Sequence, residues 1–87
     1  MSSPRPPQSD LLGIELRRIR LEARVGLAEL SRRLGISRQA VWLIERPTRH
    51  VTATAADRYL RAVRQAVADR RSRTEAVLRG DAPESWA

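Results

Sequence analysis

The stretch Gly26–Glu45, GLAELSRRLGISRQAVWLIE, decides the local architecture of the chain. Leu27, Leu30 and Leu34 recur at three- and four-residue intervals, the spacing of one helical face. Gly35 can take the positive φ that stops a helix, and Ser37 can cap the next one. The spacing therefore predicts helices over about Leu27–Leu34 and Arg38–Glu45, joined by a tight Gly-Ile-Ser corner: a helix-turn-helix. In the second helix Ala40, Val41 and Ile44 share the inward face, which leaves Arg38, Gln39, Trp42 and the flanking Leu43 outward. Two helices this short do not stand alone, because helix nucleation is unfavourable. The remaining sequence has to supply a scaffold.

Upstream, Met1–Ser9 (MSSPRPPQS) contains three Pro and no apolar periodicity, so a flexible arm over residues 1–9 is expected. A first helix is predicted over about Asp10–Arg24, capped by Ser9 or Asp10, with Leu12, Leu16, Ile19 and Ala23 on one face. Gly13 within it costs about 1 kcal/mol relative to Ala, which predicts close contact with another helix at that point. Downstream, Pro47 ends the third helix, because the residue before a proline is pushed out of helical geometry. A loop, Arg46–Val51, leads to a helix beginning at Thr52 or Ala53, with the apolar stripe Ala56, Tyr59, Leu60, Val63 and Val67.

From Ala53 to Arg79 there is neither Gly nor Pro, which allows one long helix. Alternatively, Ser72-x-x-Glu75 is a capping box that would open a separate short helix at Arg73. The balance favours a break or kink near Arg70–Ser72, since Asp69–Arg73 offers nothing apolar to bury. Gly80 closes the last helix, and residues 80–87 are expected to form a loose tail after a domain spanning residues 10–79.

Composition narrows the function classes. Eighty-seven residues make one small domain. With no Cys and one His, neither a disulfide framework nor a metal cluster is available. Apolar runs are too short for a membrane span and the N-terminus lacks a secretion signal, so no membrane partner and a cytoplasmic location are expected. The net charge of +7 is carried by seventeen Arg and no Lys. Residues 81–87 hold two acids, Asp81 and Glu84, so residues 1–80 carry +9. Such an excess suits a polyanion, although an Arg-only basic set also fits a GC-rich genome. No His or Lys base accompanies a nucleophile, and there is no Gly-rich phosphate loop or carboxylate cluster. No catalytic residue, cofactor or metal is expected.

Residues 12–63 resemble the phage repressor and Cro helix-turn-helix family of bacterial and phage transcription regulators. The elements that carry the resemblance are LGIELRRIR, ELSRRLGISRQAVWLIE and AADRYLRAV. It implies an all-α fold, a compact four- to five-helix lambda-repressor-like bundle, whose third helix enters the major groove of double-stranded DNA. Arg38 has a fork that suits guanine O6 and N7, and Gln39 has the donor and acceptor that suit adenine N6 and N7. Both are also ordinary solvated residues for a helix start. At the position of Leu43 the family often has a base-contacting side chain, so Leu43 could read a thymine methyl by apolar contact. Trp42 has three open roles: contact with DNA, packing across the arm or the loop after Pro47, or a protein-partner surface.

Phosphate contacts are expected from Arg46 and Arg49, where the family commonly touches the backbone, with Arg32 and Arg33 on helix 2 as weaker candidates, one of which fits a solvated face equally well. Ser37 joins this set. The family usually begins helix 2 with Ser or Thr followed by a phosphate-anchoring Gln. Gly26 and Leu27 stand there instead, so that anchor is missing. Pro47 replaces a common Gly, which predicts a different exit from helix 3. The resemblance also implies a buried ion pair between Arg20 and Glu45. His50 is a loop residue near phosphate at most, Arg5 is a candidate for a minor groove, and Trp86 could anchor a partner.

Two functions follow as expectations. One is a sequence-specific transcriptional regulator, a repressor in the first instance, binding a pseudo-palindromic operator as a homodimer through Tyr59–Leu78. The alternative is a protein-interaction module, an antitoxin or adaptor, that uses Trp42, Leu43 and the C-terminal helix to hold a protein partner.

Overall fold

In the computed structural model of the protein, residues 8–47 and 49–80 are described, with side chains from Leu11 onward. The elements run in the order β1 (Gln8–Leu12), α1 (Gly13–Glu22), α2 (Leu27–Leu34), α3 (Arg38–Ile44), β2 (His50–Thr52) and α4 (Ala53–Leu78). The expected all-α bundle is thus corrected to a mostly helical fold: four helices and a small two-stranded sheet among the described residues. Most of the expected flexible arm, including Arg5, and the tail from Asp81 with Trp86 lie outside those residues.

The helix-turn-helix stretch forms as its punctuation requires. Gly35 ends α2 at φ 70°, with its N–H on the carbonyl of Arg32. Ser37 Oγ then accepts the N–H of Ala40 at 3.0 Å and starts α3. Thr52 repeats that device on the Ala55 N–H at 3.2 Å and starts α4.

The first helix is shorter than predicted, because Gln8–Leu12 pairs antiparallel with His50–Thr52. Gln8 faces Thr52 and Leu12 faces His50, so β1 carries a bulge against the three residues of β2. Leu12 gives its N–H to Glu15 Oε2 at 2.7 Å, while the Gly13 N–H is taken by the Arg49 carbonyl at 2.9 Å. The Gly13 bond ties the chain to the loop after α3 and the Leu12 bond caps the first turn, so that α1 starts at Gly13 and not at Asp10. The close approach expected at Gly13 is present: a Cβ there would overlap the backbone carbonyls of Ile44 and Arg46.

The predicted break in the last helix does not occur, and α4 is continuous from Ala53 to Leu78. Its polar middle is anchored by charge in place of apolar burial. Arg70 donates to the carbonyls of Ala23 at 3.0 Å and Arg24 at 3.1 Å, and Asp69 accepts from Arg33 at 2.9 Å. The Arg70 contact also satisfies the end of α1, where Arg24 takes a left-handed φ of 58° that is unfavourable for a side chain with a Cβ.

The core joins all four helices. Leu16, Leu30, Val41 and Tyr59 are fully buried, with Val25, Val51, Ala56, Val63 and Ala66 around them. Ile44 and Ala40 are half-buried, so the inward face of α3 rests mainly on Val41. No helix among the described residues is long and apolar enough to cross a membrane.

Because the Gly13 contact is backbone against backbone, Gly13→Ala forces α1 and the end of α3 apart. Overpacking of this kind should cost about 1–3 kcal/mol, a fall in melting temperature of several degrees by thermal circular dichroism. A variant that melts with the wild type would show that the two helices separate without cost.

Candidate functional site

The end of α3 is held by a buried polar cluster. Glu45, 3% exposed, receives Arg20 as a two-toothed fork: Nε to Oε2 at 2.6 Å and Nη2 to Oε1 at 2.9 Å. The remaining Arg20 nitrogen, Nη1, donates to the Val25 carbonyl at 3.1 Å. Tyr59 donates its hydroxyl proton to Glu45 Oε2, and the Leu16 carbonyl lies 3.2 Å from the same hydroxyl. Thus α1, α3 and α4 meet on one carboxylate. Among the described residues no buried side-chain polar atom lacks a partner, which is the condition for tolerating such charges inside. The hydrogen bonds Arg20 donates to Glu45 raise its pKa despite its burial. The Tyr59 hydroxyl is pushed far above its ordinary 10.0, first by burial and then by its bond to Glu45.

Held this way, α3 turns its other face to solvent. Arg38 and Gln39 are exposed at its first turn, and Trp42 and Leu43 are 53% and 37% exposed beside them. Trp42 is not part of the hydrophobic core; the Arg46 guanidinium lies over its ring, 5.1 Å from the centroid. Arg46 and Pro47 thereby form one wall of an open cleft whose other wall is Ile14 and Arg17 of α1. Pro47 accordingly gives the exit from α3 its particular shape, with the Arg49 N–H returned to the Arg46 carbonyl at 3.2 Å.

The expected phosphate-contacting residues separate into two kinds. The side chains of Arg32, Arg46 and Arg49 are exposed, as is Ser37, whose hydroxyl proton remains available while its oxygen caps α3. Arg33, by contrast, spans Glu29 and Asp69 and serves α2–α4 packing. His50 is exposed on β2. Sequence reasoning missed Arg17 and the third member of the buried cluster, Tyr59, which reads along the chain only as one more apolar stripe position. It also missed Arg70, since an arginine capping a helix forty-six residues away leaves no local trace.

No group of three or more His, Cys, Asp or Glu able to hold a metal occurs among the described residues. No sequence-family model, curated protein or solved structure matches the chain. The capabilities of the surface therefore follow from its own side chains: a cationic, partly apolar helix face with the donor fork of Arg38 and the donor–acceptor amide of Gln39 at its leading end.

Arg20→Ala leaves Glu45 buried without its counter-charge, which should cost about 3–5 kcal/mol of the 5–10 kcal/mol that stabilises a small domain. Thermal unfolding should shift close to or below ambient temperature; an unchanged melting point would mean that the pair is not buried in solution.

The raised Tyr59 pKa gives a second expectation. The folded state keeps a phenolic proton that the unfolded state loses above pH 10, so this stabilisation is present below that pH and is lost as pH rises beyond it. Melting temperature should drop above pH 10 more steeply in the wild type than in Tyr59→Phe. Since Tyr59 is the single tyrosine, phenolate absorbance should appear only together with unfolding. Phenolate formation in the folded protein near pH 10 would contradict the contact.

Proposed function

We propose that the protein is a sequence-specific double-stranded DNA-binding transcriptional regulator, a repressor, that inserts α3 into a major groove. The observation that supports this best is the face of α3 itself. Arg38 and Gln39 stand exposed on its first turn, the end that enters a groove first in helix-turn-helix docking, and their donor and acceptor geometry matches purine edges. Arg46 and Arg49 follow the helix immediately and are suited to the phosphate wall, where they fix register without reading sequence. Trp42 and Leu43 supply apolar area for thymine methyls and sugar edges between these two sets. A binding role accounts for this surface without catalysis, cofactor or metal.

In this proposal the helices take a lambda-repressor-like arrangement, and the protein works in the cytoplasm. A single α3 covers only a few base pairs, so a homodimer on two half-sites about one helical turn apart supplies the specificity. From Tyr59 to Val67 the apolar residues of α4 pack on the chain's own core, whereas Leu78 is 81% exposed. The dimer contact is accordingly proposed for the distal part of α4.

Selection of bound duplexes from a random pool should enrich a pseudo-palindrome, and Arg38→Ala and Gln39→Ala should each relax particular bases by about 1–3 kcal/mol. With roughly 6–8 phosphate contacts, raising salt from about 50 to 200 mM should weaken binding about a thousandfold or more. No enriched sequence, with weak binding indifferent to both substitutions, would sink this function in favour of an antitoxin or adaptor role for the Trp42–Leu43 surface.

A further inference from the structure

Two guanidinium groups, Arg17 and Arg46, face one cleft of about 220 Å³ between α1 and the end of α3. Among the described residues Arg17 has no ion-pair or hydrogen-bond partner, and Arg46 is held by the Trp42 ring, which leaves its N–H edge free to donate. One carboxylate, Glu45, borders the cleft, but both its oxygens are already occupied by Arg20 and Tyr59. Among the described residues no ion pair therefore offsets the two positive charges at the cleft, and bringing like charges together without an anion is unfavourable. Its volume falls below the roughly 300 Å³ at which small-molecule sites begin, and its mouth is open to solvent.

We infer that this cleft is a phosphodiester site: one backbone phosphate of the bound duplex sits between Arg17 and Arg46 against the edge of Trp42. This rests on the DNA-binding function proposed above and adds to it a contact from α1, a helix outside the helix-turn-helix. Glu45, which borders the cleft, follows Arg38 by seven residues, about 10 Å of helix rise and close to the roughly 12 Å width of a major groove. When Arg38 meets base edges at one end of α3, the cleft lies at the bordering phosphate strand. The contact also substitutes for the anchor missing at Leu27, by gripping the backbone at the far end of the recognition helix.

The test uses the full chain and its selected duplex, with affinity measured against salt for the wild type, Arg17→Ala and Arg18→Ala. Arg18 is exposed one residue along α1 but does not border the cleft. Loss of one phosphate contact should lower the salt slope by about 0.9 and weaken binding about five- to tenfold near 0.1 M salt, equally on selected and random duplexes. Arg18→Ala should leave the slope unchanged, and both variants should melt with the wild type. Replacing single phosphates by neutral methylphosphonates should reveal one position whose loss weakens the wild type more than Arg17→Ala, in which only the Arg46 contact to that phosphate remains to be lost. A wild type that binds duplex while Arg17→Ala keeps its slope and affinity overturns the phosphodiester site alone. A wild type that binds no duplex overturns the DNA-binding function, and the site with it.

Discussion

The whole structure depends on one buried carboxylate. Glu45 ends α3, and its two oxygens collect the fork of Arg20 from α1 and the hydroxyl of Tyr59 from α4. Desolvating these groups is expensive, and the interaction is tolerable because each donor and acceptor finds a partner. The energetic consequence is an asymmetry: the complete cluster adds modest net stability, whereas an incomplete one is severely destabilising. The functional consequence is orientation. A seven-residue helix has little hold of its own, and the cluster sets which of its faces points outward.

A second constraint acts at the same end of α3. Gly13 admits the carbonyls of Ile44 and Arg46 where any side chain would collide, and the Arg49 carbonyl takes the Gly13 N–H. The exit of α3 is thus fixed against α1 by backbone contact, and the cluster fixes it by charge. Arg46, Trp42 and Arg17 owe their juxtaposition to that double fixation. The cationic cleft is a by-product of how α1 and α3 are locked together, which is why it lies beside the exposed face of α3.

Local chemistry in the sequence was sufficient for α2 and α3. Leucine spacing, Gly35 and Ser37 act within a few residues of one another, and the helices end where those residues place their ends. Gly13 was legible for the same reason, as an unfavourable residue that needed compensation. What escaped depends on distant partners. Gln8–Leu12 becomes a strand because His50–Thr52 lies alongside it, and neither segment is long enough to show a period of two. The continuity of α4 depends on Arg33 and the carbonyls of Ala23 and Arg24, which give its polar middle contacts that apolar counting does not register. In the site, exposure of Arg38, Gln39, Trp42 and Leu43 followed from helical phase, whereas the stacking of Arg46 on Trp42 and the approach of Arg17 required the packed structure.

The outward face of α3, held by the Glu45 cluster, is proposed as the surface that meets DNA. The most direct measurement is a nuclear magnetic resonance titration of the isotope-labelled full chain with a short duplex. Shift changes should concentrate on the amides of Ser37 to Arg46, the Trp42 indole N–H and the Arg17 side chain, with the core around Leu16 and Leu30 unmoved. Shifts confined to the distal turns of α4, or none at duplex concentrations well above the protein's, would contradict it.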